Sequence, residues 1–566
     1  MSIVVIPGAV EPTLTDADYA GLLAAVGVHD APQQDQDDYR AVLKSFLAVM
    51  AKVDDGPDYT PPSLMPQPAD RAFSVPLVEE NPFNAWSHRC AIAAPTTAAS
   101  NVRLQGRSLA VKDNIAVAGL PTTIGTSPFL FADDGRWDLA PVDATAVVRL
   151  LAAGVVVRGT STCEAWCASP LSYTSYSGPV HNPRLHGHTA GGSSSGSAAL
   201  VAAHSLLGDA TATTTVPLAI GTDQAGSVRI PASYNGIYGL KPTFGLVPYT
   251  GAASMSPMID HLGPLAGSLE DIAALLQVMA GYDGLDPRMT PESPLREHVK
   301  PYGDLLAAFR TSTAAVPAKP LRVGILRQGF EVPGLTDAVR DTVLKAARSS
   351  FAAAGAEVVD VSVPMHADGA VIWNAATRPS MATWLLQGRC SGHLSYLSPH
   401  IHPTPARWPA DQATYDHLHA NNPAAVNILL SQAASQRLLP PGLEAKAHRL
   451  VFALRAAYDD ALATVDVLVT PCAPDVAKPL PLDLAHMSVR DKMAYAVGTT
   501  NNTSPFNVTG HPALNVPCGF AAHAARPDVP LPVGMQLVGR RFEDDQLILA
   551  AALFERGRAK LGTTCD

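Results

Sequence analysis

The feature that most constrains this chain is a pair of glycine/serine loops flanking one apolar unit. Gly191 to Ser197 reads GGSSSGS, and Gly221 to Ser227 reads GTDQAGS. Between them, Ser195 to Leu206 is rich in small and aliphatic side chains that suit a buried helix, and Val216 to Ile220 is a short apolar run that reads as a core strand. Flanks of this kind argue against the flexible linker that Gly/Ser runs otherwise suggest. Both loops are therefore expected where the chain enters or leaves a sheet. Small residues there let backbone N–H groups approach a ligand, and a serine on such a turn presents its hydroxyl.

The rest of the pattern alternates strands and helices. Ser108 to Ile115 reads as a strand running into a turn, Asp143 as the cap of a helix through Ala153 closed by Gly154, and Val155 to Arg158 as the next strand. Leu321 to Leu326, a helix from Asp337 to Ala354 capped by Thr336 and stopped by Gly355, and Ala356 to Val361 repeat the alternation. Glu444 to Thr464 reads as a helix, Val465 to Thr470 as a strand, Asn501 to Ala513 as a polar turn cluster, Pro532 to Gly539 as a strand and Asp544 to Arg556 as a helix. This predicts an α/β fold, a large mixed β-sheet core flanked by helices on both faces. At 566 residues and 47% hydrophobic content, one such core with additions accommodates the chain.

The N-terminal part is different. Residues 16 to 27 and 36 to 54 read as amphipathic helices, followed by a Pro-rich connector from Pro57 to Pro76. Residues 1 to 85 hold 13 Asp/Glu against 4 Lys/Arg, so nearly all of the net charge of −10 sits there. The expected organisation is an acidic α-helical domain at 1–85 and a catalytic domain at 86–566, and the acidic excess argues against nucleic-acid binding.

Seven scattered cysteines suggest reduced thiols, and the pair Cys163 and Cys167 lacks the second cluster that a metal site needs. Residues 387 to 442 carry His393, Tyr396, His400, His402, Trp408, Tyr415, His417 and His419 with weak periodicity, and read as a long loop of surface or pocket-wall residues without metal-ligand spacing. No cofactor or metal is expected. No apolar run is long enough to span a bilayer, and Met1 to Val10 lacks the basic and apolar regions of a signal peptide, so the expected location is cytoplasmic.

A hydroxyl nucleophile needs a base and backbone donors for the oxyanion. Ser227 follows a turn whose consecutive N–H groups lie beside it. Lys112 ends the apolar strand Leu109 to Val111 and fits a buried base, which must be neutral to act. The rival is Gly192 to Gly196, which satisfies G-x-S-x-G with Ser194 at the elbow, although the polar, turn-like stretch from Pro183 to Ala190 precedes it where that motif needs a strand.

Val111 to Ile115 (VKDNI), Gly191 to Ala199, Gly221 to Ala232, Gly239 to Thr243 and Pro532 to Leu537 together resemble the amidase signature family, over about residues 86 to 560. Within it, His181 to Pro183, Val247 to Gly251 and Ile259 to Pro264 are most similar to bacterial enantioselective amidases. The resemblance implies a Ser–cis-Ser–Lys triad with Lys112 as base, Ser193 as bridge in a cis peptide and Ser227 as nucleophile. It implies an oxyanion hole from the N–H groups of Gln224, Ala225, Gly226 and Ser227, and supporting roles for Ser194, Asp223 and Arg229. The implied function is hydrolysis of a small-molecule amide through an acyl-enzyme, with a homodimer as working form. Carbamate or urea hydrolysis, membership of a glutamine-dependent amidotransferase complex and a non-catalytic scaffold are the alternatives. Ser195 and Ala225 stand where glycines are common in the family, and the interval from Ser193 to Ser227 is long, with the extra residues expected at Asp209 to Thr215. Substrate choice is expected to rest on walls near 128–140, 370–430 and 480–500.

Overall fold

Runs of branched and aliphatic residues pair into a 12-stranded sheet, with a separate two-stranded sheet beside them. The computed structural model describes residues 6, 12–57, 60–65, 71–94, 103–131, 135–208, 213–312, 320–386, 410–481, 483–484, 486–524 and 526–562. In chain order the strands are β1 (Phe73–Ser74), β2 (Trp86–Ile92), β3 (Ser108–Lys112), β4 (Val156–Ser161), β5 (His181–Asn182), β6 (Leu185–Thr189) and β7 (Leu218–Asp223). They continue as β8 (Tyr238–Lys241), β9 (His261–Ala266), β10 (Arg322–Leu326), β11 (Glu357–Val361), β12 (Val467–Pro471), β13 (Ala513–His523) and β14 (Arg526–Val538). The large sheet runs β1-β2-β4-β3-β7-β9-β8-β13-β14-β12-β10-β11, and β5 pairs with β6.

The sheet is mixed: β3 lies parallel to both β4 and β7, and β10 parallel to β11 and β12, whereas the pairs through β9, β8, β13 and β14 are antiparallel. Leu109 to Lys112 of β3 and all six residues of β7 are buried without alternation. Side chains on both faces of these strands are therefore inside, as in a sheet covered on two sides. Thr336 caps its helix as expected, the hydroxyl accepting from Val339 N, and Gly355 follows the helix Asp337–Ala353 at φ +89°.

The chain forms two compact units, Met1–Ser63 and Leu64–Asp566. In the first, the helix Asp16–Ala25 carries a capping box between Thr15 and Asp18, and Tyr19 Oη donates to Gln36 O of the helix Gln33–Asp54 at 2.9 Å. Residues 71–85 go with the second unit, because Phe73 pairs with Cys90 and so starts the large sheet. The boundary thus falls ahead of residue 85.

Three local expectations are corrected. Asp143 does not cap the helix Thr145–Ala152; its carboxylate accepts both Arg71 Nη1 (2.6 Å) and Nη2 (2.7 Å), and Ala118 N at 2.9 Å. A two-pronged guanidinium outcompetes a single backbone N–H. Residues 387–409, with His393, Tyr396, His400, His402 and Trp408, lie outside the described residues. The remainder of the expected loop is helical, Gln412–Asn421 capped by Asp411 and Pro423–Leu438 capped by Asn422. The second buries Pro423 at its start and then a thin line of Ala425, Ile428 and Gln432, too sparse a stripe to register as periodicity. Within the polar cluster at 501–513, Pro505–Thr509 forms a short helix.

Candidate active site

Val111 pairs with Ile220, so the parallel strands β3 and β7 deliver Lys112 and Asp223 to the same end of the sheet, where both strands finish. Ligand sites in such sheets lie beyond the carboxyl ends of strands. Lys112 has no exposed surface, and its Nζ donates to Ser193 Oγ at 2.8 Å, Thr222 Oγ1 at 2.9 Å and Thr222 O at 3.3 Å. The amine's hydrogen-bond acceptors are thus all neutral oxygen atoms.

Ser193 reaches this amine from the loop that opens the helix Ser195–Leu207. The Gly192–Ser193 peptide is cis. Backbone bonds hold the loop on all sides: Gly192 N donates to Pro170 O (2.8 Å), Glu164 N to Ser193 O (3.3 Å), Ser194 N to Ser227 O (3.1 Å) and Gly196 N to Thr162 O (2.9 Å). Ser194 is fully buried and turns its hydroxyl to Thr222 O at 3.3 Å. A short strand, β6, does precede this loop, but it belongs to the small sheet and ends at Thr189. Ser195 turns out to use its hydroxyl, which donates to Glu164 Oε1 at 2.9 Å.

The second loop leaves β7 as a turn braced from behind. Trp373 Nε1 donates to Gln224 O (2.9 Å) and Thr503 Oγ1 to Ala225 O (2.5 Å), while Asp223 accepts from Gly226 N at 2.7 Å and Val228 N at 3.1 Å. Gly226 N–H is therefore committed to Asp223, a correction to the expectation that all four turn N–H groups face a reacting carbonyl. Among the described residues the N–H groups of Gln224, Ala225 and Ser227 have no acceptor, and these three residues line a cavity. Gly226 adopts φ +131°, and a Cβ there would sit 2.6 Å from Ile230 Cδ1 and 2.8 Å from Thr503 Cβ. We expect Gly226→Ala to push the turn out of register and lower kcat/KM by about 100-fold or more; steady-state kinetics check this, with circular dichroism confirming the fold.

Asp223 and Arg229 form a fully buried pair. Arg229 Nε and Nη2 donate to the carboxylate at 3.0 and 2.8 Å, Nη1 to Thr503 O (3.0 Å) and Gln536 Oε1 (2.7 Å), and Nη2 also to Asn507 Oδ1 (2.7 Å). Burial by itself would raise the Asp223 carboxyl, but Arg229 overrides it and holds the group well below the usual carboxylate range.

Glu164 and Asp113 behave in the opposite way. Burial pushes each up to about 7, although Glu164 accepts from Thr174 N (2.7 Å), Thr174 Oγ1 (2.6 Å) and Ser195, and Asp113 from Ser87 Oγ (2.6 Å) and Thr123. A carboxyl raised in the fold favours folding fully below its ordinary value and loses that contribution as pH rises through the folded one. Stability should therefore fall as pH rises from about 4.5 to about 7. Glu164→Gln should flatten that fall by about 1–3 kcal/mol, measured by urea unfolding across the window; an unchanged slope would refute it.

Ser227 opens onto a cavity of ≈ 350 Å³, within the range of small-molecule sites. Its walls come from 370–381, 422–428 and 492–501, as expected, and from Cys167 to Thr174, which the sequence did not suggest; none comes from the described residues of 128–140. Cys167 sits in that wall at φ +55°, its thiol lowered to about 7 by a hydrogen bond from Cys163. Of the expected insertion, 209–212 lie outside the described residues, and Thr213 and Thr214 accept from Arg89 and Trp86 away from the cavity. Sequence reasoning missed Glu164, Thr222, Trp373, Asn507 and Gln536. Thr222, Asn507 and Gln536 lie inside motifs noted for their loops and strands, whereas Glu164 and Trp373 carry no local mark. Among the described residues no group of His, Cys, Asp and Glu is placed to hold a metal, and no helix is long and apolar enough to cross a membrane.

This mixed sheet, with a buried lysine and two serine loops at the carboxyl ends of neighbouring interior strands, is matched by amide-cleaving enzymes. An Amidase family model matches residues 83–548. The chain is 36% identical to an enantioselective amidase of Rhodococcus rhodochrous, covering 87% of this chain and 86% of that one. It is 32% identical to a component of the glutamyl-tRNA(Gln) amidotransferase of a Synechococcus strain, covering 80% and 83%. The native peptide amidase of Stenotrophomonas maltophilia superposes with a TM-score of 0.61 at 29% identity, over 80% of this chain and 83% of that one. The chain belongs to the amidase signature family.

Proposed function

We propose that this chain hydrolyses linear carboxamides of small molecules by acyl transfer through Ser227, with Ser193 as proton bridge and Lys112 as base. The observation that carries the reading is the 2.8 Å bond from Lys112 Nζ to Ser193 Oγ, fully buried beside a cavity that Ser227 lines. A neutral Lys112 accepts the Ser193 proton as Ser193 accepts that of Ser227, and Ser227 Oγ bonds to the amide carbon. Negative charge on the carbonyl oxygen meets the N–H groups of Gln224, Ala225 and Ser227. The C–N bond then breaks as the proton returns through Ser193 to the leaving nitrogen, releasing ammonia or an amine. Water, deprotonated by the same relay, attacks the acyl-enzyme and frees the carboxylic acid and Ser227. Asp223, Arg229 and Ser194 position the turn and loop. The same reading takes a cytoplasmic homodimer as the working form.

Incubation of the purified chain with a fluorophosphonate, followed by intact-mass measurement, should give one adduct that Ser227→Ala loses. An ammonia-release screen over aliphatic, aryl, carbamate and urea substrates should show amides turned over by the chain alone. An adduct retained in Ser227→Ala would sink the assignment, and ammonia release only with partner proteins would favour the amidotransferase reading.

A further inference from the structure

The cavity beside Ser227 carries cations that no described residue of its wall neutralises. On the helix Gly369–Leu385, Trp373, Arg378 and Met381 face it from one side of the helix, and Lys492 faces it from the segment beyond. No Asp or Glu lines it among the described residues. Arg378 Nη1 is shielded from solvent without a hydrogen-bond acceptor, and the side chain forms no ion pair among the described residues. Lys492 is buried, and its Nζ likewise has no partner among the described residues. An adjoining cleft of ≈ 520 Å³ shares Arg378 and has Glu444 on its wall, yet Glu444 does not pair with Arg378. The stretch 387–409 contains Arg389 and Arg407 but no Asp or Glu.

Other shielded guanidinium groups of this chain find acceptors, Arg71, Arg229 and Arg288 in carboxylates and Arg149 in backbone carbonyls, whereas half-buried Arg378 leaves Nη1 without one. Burial is the sole influence that moves the Arg378 pKa, and it moves it down; no carboxylate opposes it. The same wall carries Trp373, Met381 and Ile428, suited to a methylene chain, beside the neutral amides of Asn374 and Asn422. A ligand that runs along this wall and ends in an anion would supply the missing acceptor at its far end.

Resting on the hydrolase reading, we propose that Arg378, with Lys492, selects amide substrates that carry a carboxylate several bonds from the scissile carbonyl. A planar carboxylate matches the guanidinium fork, and pairing removes a charge left in low dielectric. Two sources share this chemistry: monoamides of linear dicarboxylic acids, with the carboxylate on the acyl part, and N-acyl ω-amino acids, with it on the leaving part.

Both series, varied in chain length, are to be compared with neutral amides of equal length. For the wild type, kcat/KM should favour the carboxylated member of one series by about 10- to 100-fold. Arg378→Gln should collapse that ratio, and Arg378→Lys should restore part of it. Calorimetry on Ser227→Ala, which needs no turnover, should show tighter binding of the carboxylated amide, lost in Ser227→Ala/Arg378→Gln. A wild type that handles neutral amides equally well, or a ratio untouched by Arg378→Gln, overturns the selection and leaves the hydrolase reading standing. Carboxylate-dependent binding with no turnover of any amide overturns the hydrolase reading and keeps the cationic site.

Discussion

Ser227→Ala is expected to lower kcat/KM by roughly 10⁴- to 10⁶-fold with the fold intact. The Ser227 hydroxyl makes no hydrogen bond among the described residues, so its removal leaves no buried partner unsatisfied. What is lost is the attacking atom. Ser193→Ala differs, because it takes an acceptor away from buried Lys112 Nζ and leaves it only Thr222. That variant should lose about 10²- to 10⁴-fold in rate and about 1–3 kcal/mol in stability. Lys112→Ala should be as slow as Ser193→Ala. Rapid-quench kinetics with an activated amide, paired with thermal denaturation, separate the two costs. A near-wild-type rate in Lys112→Ala together with loss in Ser194→Ala would return the nucleophile to the elbow serine.

Arg229→Met should destabilise the fold by about 3–5 kcal/mol. The substitution leaves Asp223 as a buried carboxylate with only Asn507 and backbone donors, and strips donors from Thr503 O, Gln536 Oε1 and Asn507 Oδ1. Because Asp223 is held below the usual carboxylate range in the fold, the pair stabilises the native state at neutral pH. That contribution is lost as pH falls below the ordinary aspartate value of 3.8. The Tm of the variant, measured by calorimetry, should therefore converge toward that of the wild type in acid. Asp223→Asn/Arg229→Met should recover part of the loss, since no charge is then stranded. Equal Tm values for Arg229→Met and wild type at neutral pH would mean that the network contributes nothing to folding.

How the site assembles shows why some of it was readable and some was not. The glycine/serine loops were legible because backbone geometry is local: Gly191 at φ +73° and Gly226 at φ +131° need residues without a Cβ, and such residues stand out in sequence. The helix Asp337–Ala353 was legible for a similar reason, since Thr336 and Gly355 bracket it. Lys112 was suggested by its place at the end of an apolar strand. Asp143 misled, because a capping residue and a partner for Arg71 look alike until residue 71 is brought alongside.

Length, charge distribution, the two loops and the strands and helices marked by apolar runs or caps were determined by the amino-acid sequence alone, whereas the helices Gln412–Asn421, Pro423–Leu438 and Pro505–Thr509 were not. The tertiary structure decided which distant groups meet. Arg229 finds Gln536 and Asn507 only because the strand β14 and the short helix Pro505–Thr509 bring them alongside it, and Gly226 N–H turns to Asp223 only because the turn folds back on itself. Arg378 faces the cavity without a partner among the described residues for the same reason: a charge becomes an unsatisfied charge only when packing has decided what surrounds it.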